Sequence, residues 1–197
     1  NMPDTKNPSS VVGLKKFTLA PITKDEEAGT TYGEIVRVPG LIEATVTPST
    51  TDADIQYADD VEYDALNPDP DIALKVTMAD FPLDVQAKLF GSKLNADGTL
   101  WRNASDKAPY FAVGFMSEKA DGTYRYVWLL KTRAKPLTEN YKTKEGTTIT
   151  RQTGEIEFTA IKRISDGNYQ VVADEGLNSF TGGATFLDKV PNSAGDV

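Results

Sequence analysis

The chain contains no cysteine and no histidine in its 197 residues. Without His it lacks the side chain that shuttles protons near neutral pH. Without Cys it lacks the thiolate nucleophile and the soft metal ligand. A disulfide scaffold is excluded, and a reducing compartment fits. Bases are outnumbered by acids, 21 Lys and Arg against 29 Asp and Glu, for a net charge of −8. Nucleic-acid affinity comes largely from basic groups neutralising phosphates, so sequence reading of DNA or RNA is not expected. No apolar run approaches the roughly 18 residues of a membrane span. The start is polar, with Pro3 and Pro8 and no signal-peptide pattern, so synthesis without general export is expected. Asn1 ahead of Met2 reads as a cloning remnant, with the native start expected at Met2. These absences move the expected purpose from chemistry to shape or assembly.

What is present is strand pattern. A chain of this size buries roughly 70% of its unfolded surface and needs no staple, so one domain is expected. Leu14 to Ala20 and Ile35 to Val38 read as strands, joined by a polar connection from Lys24 to Thr30. Ile42, Ala44 and Val46 alternate with polar residues, as do Ile72, Leu74, Val76 and Met78, and Ile156, Phe158 and Ala160. Two Asp-Gly turns predict hairpins: Phe111–Phe115 through Asp121-Gly122 into Tyr124–Leu130, and Ile161–Ile164 through Asp166-Gly167 into Tyr169–Val172. One helix is predicted, started by Asp80 and Pro82 and stopped by Gly91, with Leu83, Ala87 and Phe90 on its packed face. The fold class is mainly β: an antiparallel β-sandwich or open barrel with one short flanking α-helix. Residues 1–11 read as a flexible arm, 12–175 as the domain, and 176–197 as a flexible tail with docking points at Phe180, Phe186 and Leu187.

Candidate chemistry is thin. Residues 50–71 form a long acidic stretch carrying Asp52, Asp54, Asp59, Asp60, Glu62 and Asp64. Paired carboxylates hydrolyse glycosidic bonds, but a general acid needs an apolar pocket, and this run reads as solvated. The stretch lacks the spacing of a calcium loop. Tyr124, Tyr126 and Trp128 make a stripe that would stack on sugars, although strand aromatics are more often packing partners. Without His there is no ordinary serine triad, and phosphate and dinucleotide loops are missing. No catalytic, cofactor-binding or metal residue is assigned.

Several stretches in order resemble the phi-thirteen type of siphophage major tail protein. They include Gly13-Leu14-Lys15, Thr31-Tyr32-Gly33, Tyr57-Ala58-Asp59-Asp60 and Met78-Ala79-Asp80-Phe81-Pro82-Leu83. Ala108–Phe115, Tyr124–Leu129 and Tyr141-Lys142-Thr143-Lys144 continue the series. The resemblance runs from about Val12 to Glu175 and carries nothing for the chain beyond Gly176. It implies a non-enzymatic virion protein, a β-sandwich with a flanking helix that stacks as hexameric rings into a tube. The partners it implies are other copies, the tape measure, the tail terminator and distal tail proteins, with DNA passing down the lumen. It implies no cofactor.

Elementary physics agrees with a tube. Heterologous contacts propagate without limit, and unpaired strand edges supply them. An acidic inner wall would repel phosphates. Long charged loops that order only on docking would delay polymerisation. The expected assembly contacts are the acidic stretch, through Asp52, Asp54, Asp59, Asp60, Glu62 and Asp64, and a second long loop from Ala134 to Thr153, through Lys142 and Lys144. The alternative reading is a carbohydrate-binding or adhesin-like β-sandwich using Tyr124, Tyr126 and Trp128.

Overall fold

The computed structural model describes residues 10–49, 54–58, 61–66, 71–138 and 153–193. The long first strand β1 (Val11–Glu26) turns back as β2 (Gly29–Tyr32) and continues into β3 (Val36–Val38) and β4 (Leu41–Ser49). The hairpin β5 (Asp54–Ala58) and β6 (Val61–Leu66) precedes β7 (Asp71–Met78). Next come the helix α1 (Leu83–Phe90) and the short pair β8 (Lys93–Leu94) and β9 (Leu100–Trp101). Then follow β10 (Tyr110–Lys119), β11 (Tyr124–Ala134), β12 (Gly154–Ala160) and β13 (Gln170–Asp174).

Nine strands form one sheet in the order β2-β1-β10-β11-β12-β7-β4, with β3 also on β1 and β13 also on β11. Each of these pairs is antiparallel. The strands β1 and β4, far apart in that order, touch each other, so the sheet rolls into an open barrel. The fold is therefore mainly β with one flanking helix, as the alternation predicted.

Period-two side chains feed two cores. Inside the roll, Phe17, Leu19, Leu74, Val76, Val113, Leu129, Ile156 and Phe158 pack with Val85 and Leu89 of the helix. On the opposite face, Ala112, Met116, Tyr126, Trp128 and Leu130 pack against Phe186, Leu187 and Val190. The segment expected as a flexible tail is, over residues 176–193, the cover of this second core. Phe186 and Leu187 are buried and Phe180 packs at the edge. A Gly-, Asn- and Ser-rich composition concealed that cover because few apolar groups carry it.

Four other expectations are corrected. The connection Lys24–Thr30 is the tip of the β1–β2 hairpin, with Glu26 facing Gly29. The helix buries Val85, Gln86 and Leu89, whereas Leu83 is exposed. Gly91 does stop it, with φ 68° and its N–H on the Ala87 carbonyl. Ile161–Val172 is not a hairpin, because β12 and β13 both lie antiparallel along β11. Ala160 faces Thr132 and Gln170 faces Leu129. Residues 161–169 are thus an excursion from one nearly continuous line, and the Asp166-Gly167 turn sits within it. Lastly, the acidic stretch is in part a hairpin: Asp54 faces Leu66, and Gln56 faces Asp64.

Candidate functional site

The sequence-predicted assembly residues fall into two groups. Asp54 lies on β5, and Glu62 and Asp64 lie on β6, which places them on one two-stranded hairpin. Asp52, Asp59, Asp60, Lys142 and Lys144 lie outside the described residues. The hairpin is reached from the end of the β4–β7 ladder where Ser49 faces Asp71.

The aromatic stripe does not offer a sugar platform. Trp128 is fully buried, and its indole N–H donates to the Phe186 carbonyl at 3.0 Å. Tyr126 is buried too. Its hydroxyl donates to Glu175 at 2.7 Å and its ring meets Phe180 and Phe186 at 5.9 and 5.5 Å. Burial and the donation to Glu175 both push the Tyr126 hydroxyl pKa well above its ordinary value. The stripe belongs to the second core, as cross-strand aromatics usually do.

What the fold leaves at the surface is a polar sheet face and unpaired strand edges. On the face of β4, β7 and β12 turned away from the core, register sets Glu43 beside Thr77 and Thr77 beside Glu155. The next row is Thr45, Lys75 and Glu157. Lys75 bonds Glu155 at 2.9 Å, and that bond, with the nearby charges of Glu155, Glu157 and Glu43, raises its pKa. Lys135 pairs with Glu157. Three carboxylates against two ammonium groups leave this flat face mildly acidic.

Among the described residues β13 and β4 each have a free edge, as do β2 and β3, which pair only with β1. Leu130 N–H donates to the Tyr169 carbonyl and Glu175 N–H to the Tyr124 carbonyl, so odd-numbered residues of β13 bond to β11. The backbone groups of Gln170, Val172 and Asp174 therefore turn outward in an antiparallel ladder. Val172 is 51% exposed, and Ile164 and Tyr169 in the segment leading into β13 are exposed as well. On β4, one edge pairs with β7 and the other has no strand partner among the described residues.

Buried ion pairs hold these edges in place. Asp25 accepts from Lys131 Nζ at 2.5 Å, Thr30 at 2.8 Å and the Ile164 amide at 3.2 Å. It thereby ties the β1–β2 hairpin to β11 and to the 161–169 excursion. Burial pushes its pKa up, but the bonds from Lys131, Thr30 and Ile164 outweigh this and hold it below the ordinary value. Arg163 is buried on Asp166 and donates to Tyr32 at 3.2 Å and the Pro191 carbonyl at 3.0 Å. Asp174, on β13, takes both Lys119 and Arg125. The pairs of Asp25 with Lys131 and of Asp174 with Lys119 and Arg125 were not legible from spacing, since their members are separated by whole strands, whereas Arg163 and Asp166 lie three residues apart within the excursion.

Among the described residues no group of three Asp or Glu is placed to hold a metal ion. The arrangement suits protein–protein contact: rigid edges, a flat polar face and a charged hairpin. A comparison with curated proteins finds no match. A family model for phage tail tube proteins matches residues 37–192, which covers β4 through β13, the helix and the cover of the second core. The chain belongs to the phage tail tube protein family.

Proposed function

We propose that this chain is the repeating subunit of a bacteriophage or prophage tail tube, of the siphophage kind, and catalyses no reaction. Copies join edge to edge into rings of six, the rings stack, and the stack is the conduit through which DNA leaves the virion. The observation that carries this reading is the family match over residues 37–192 on a sheet with free edges at β13 and β4. Exposed edges are usually guarded in monomers, and an unguarded one is a template for another chain. The flat face bearing Glu43, Glu155 and Glu157 is the candidate inner wall, where carboxylates keep phosphates from adhering. The β5–β6 hairpin, with Asp54, Glu62 and Asp64, is the candidate stacking element. The tape measure, the tail terminator and the distal tail proteins are the partners such a tube would meet in the virion, after assembly in the host cytoplasm.

Negative-stain microscopy of concentrated protein tests the reading, with rings or tubes as the expected result. Deleting Ala58 to Pro68 should abolish long tubes, and normal tubes from that variant would remove the hairpin from the stacking contact. A monomer that never forms rings yet binds glycan arrays would replace the reading with a carbohydrate-binding module.

A further inference from the structure

The rolled sheet fails to close at one place. Between β1 and the β3–β4 corner lies a slot of about 370 Å³. Leu14, Phe17, Val38 and Leu41 contribute its apolar lining, and Lys15, Lys16 and Arg37 its cationic groups. The ladder between β1 and β3 begins only at Phe17, so among the described residues the β1 backbone over Val11–Lys16 has no strand partner on the edge opposite β10. The edge of β4 opposite β7 likewise has no strand partner among the described residues. A gap between two strand edges, with an apolar lining, has the shape that accepts an extended strand.

Two further observations mark the slot as a binding surface. Lys16 sits at a bulge with φ 56°, the one described non-glycine residue in the left-handed region. Such strain tends to persist where function holds it. The cations are also available. Lys16 has no carboxylate partner among the described residues. Lys15 and Arg37 hold Glu118 and Asp188 only through half-exposed pairs, which solvent screens and which exchange readily.

We propose that this slot receives the acidic β5–β6 hairpin of a second copy of the chain, matching Asp54, Glu62 and Asp64 with Lys15, Lys16 and Arg37. The proposal rests on the tail-tube reading and names the receiving surface for its stacking element. Within one copy, the slot lies at the Leu41 end of β4 and the hairpin is reached from the Ser49 end. Eight residue steps separate these ends, about 26 Å at 3.3 Å per residue. Donor and acceptor at opposite ends of one strand form a head-to-tail contact, which repeats from copy to copy without closing.

The cysteine-free sequence gives a clean test. Full-length Lys16→Cys protein is mixed with full-length Asp64→Cys protein under mild oxidation. Disulfide-linked heterodimer is then compared with a control mixture of Asp97→Cys and Asp64→Cys. A second pair, Lys15→Cys with Glu62→Cys, guards against one substitution disturbing its own strand, and all variants must melt like the parent. The expected yield is about tenfold above control, the factor that a 1.4 kcal/mol contact gives, with the excess lost at molar salt. Yields equal to control in both pairs, with tubes of the parent protein present by microscopy, overturn the slot and leave the tail-tube reading intact. Equal yields without rings or tubes from the parent overturn both.

Discussion

The Trp128 ring lies over Gly114, its register partner on β10, so closely that a Cβ on Gly114 would come within 2.8 Å of Cε3 and Cζ3. Trp128 is fully buried and tied through its indole N–H to Phe186, so it cannot swing aside. Gly114→Ala should therefore overpack the second core and cost about 1–3 kcal/mol. Denaturant unfolding followed by tryptophan fluorescence checks this. Unchanged stability would mean that the sheet parts at β10 and β11 more easily than its ladder indicates.

The buried pair of Asp25 and Lys131 sets the acid limit. Both side chains are less than a tenth exposed, and the Lys131 ammonium also lies 4.9 Å from the Tyr110 ring centre. Asp25→Asn leaves that ammonium without its counter-charge, a loss of about 3–5 kcal/mol for a broken buried pair. Equilibrium unfolding of the single variant at neutral pH measures it.

The pH dependence follows from the same carboxylate and two others. Asp166 and Asp174 are likewise pushed up by burial and pulled further down, mainly by Arg163 and by Lys119. All three have folded-state pKa values below their ordinary 3.8. Their contribution is complete well above that value and drains as pH falls through it, because the unfolded chain takes up the protons first. The melting temperature should be flat from pH 7 to about 5 and fall below about 4. Asp25→Asn should show a shallower fall, and an identical profile in the variant would remove Asp25 from the acid transition.

Lys16 poses a trade between the subunit and the assembly. A non-glycine residue in the left-handed region costs about 1–2 kcal/mol, and glycine returns part of that as chain entropy. Lys16→Gly should raise stability by about 0.5–1 kcal/mol while removing one slot cation. Chemical denaturation should show the gain, and microscopy should show shorter tubes from the more stable protein.

The alternation of β7 and β12 was legible because each strand has one face on a core and period two survives any neighbour. Buried on both faces, β10 was legible through its large residues Phe111, Val113 and Phe115 at every second position. The Asp121-Gly122 hairpin and the Gly91 helix stop were legible because turn chemistry is local. Asp166-Gly167 misled for the same reason. A tight turn looks alike whether the chain reverses or returns to the same line, and only the β11 register distinguishes them. An eight-residue helix offers too few turns to fix its packed face, so Val85 and Leu89 displaced Leu83 and Ala87. In the acidic stretch, charge density hid the alternation of Ile55 and Tyr57 with Asp54 and Gln56. The candidate assembly surfaces were least legible, because an unpaired edge is a property of strand order rather than of any residue.

The cover of the second core is the last and most exacting test. Phe186, Leu187 and Val190 are each nearly fully buried, and Arg163 is capped by the Pro191 carbonyl. Burying three such apolar side chains contributes about 5–9 kcal/mol, comparable with the whole stability of many domains. Ending the chain after Glu175 would uncover Tyr126 and Trp128 and leave the Arg163 guanidinium short of a partner. That truncation should aggregate or bind a hydrophobic dye strongly. The milder Phe186→Ala should fold but lose about 3–5 kcal/mol. If the truncated protein instead melts cooperatively at the parent's temperature, then residues 176–193 ride on the sheet without stabilising it. The second core would then have to be held by β10, β11 and β13 alone.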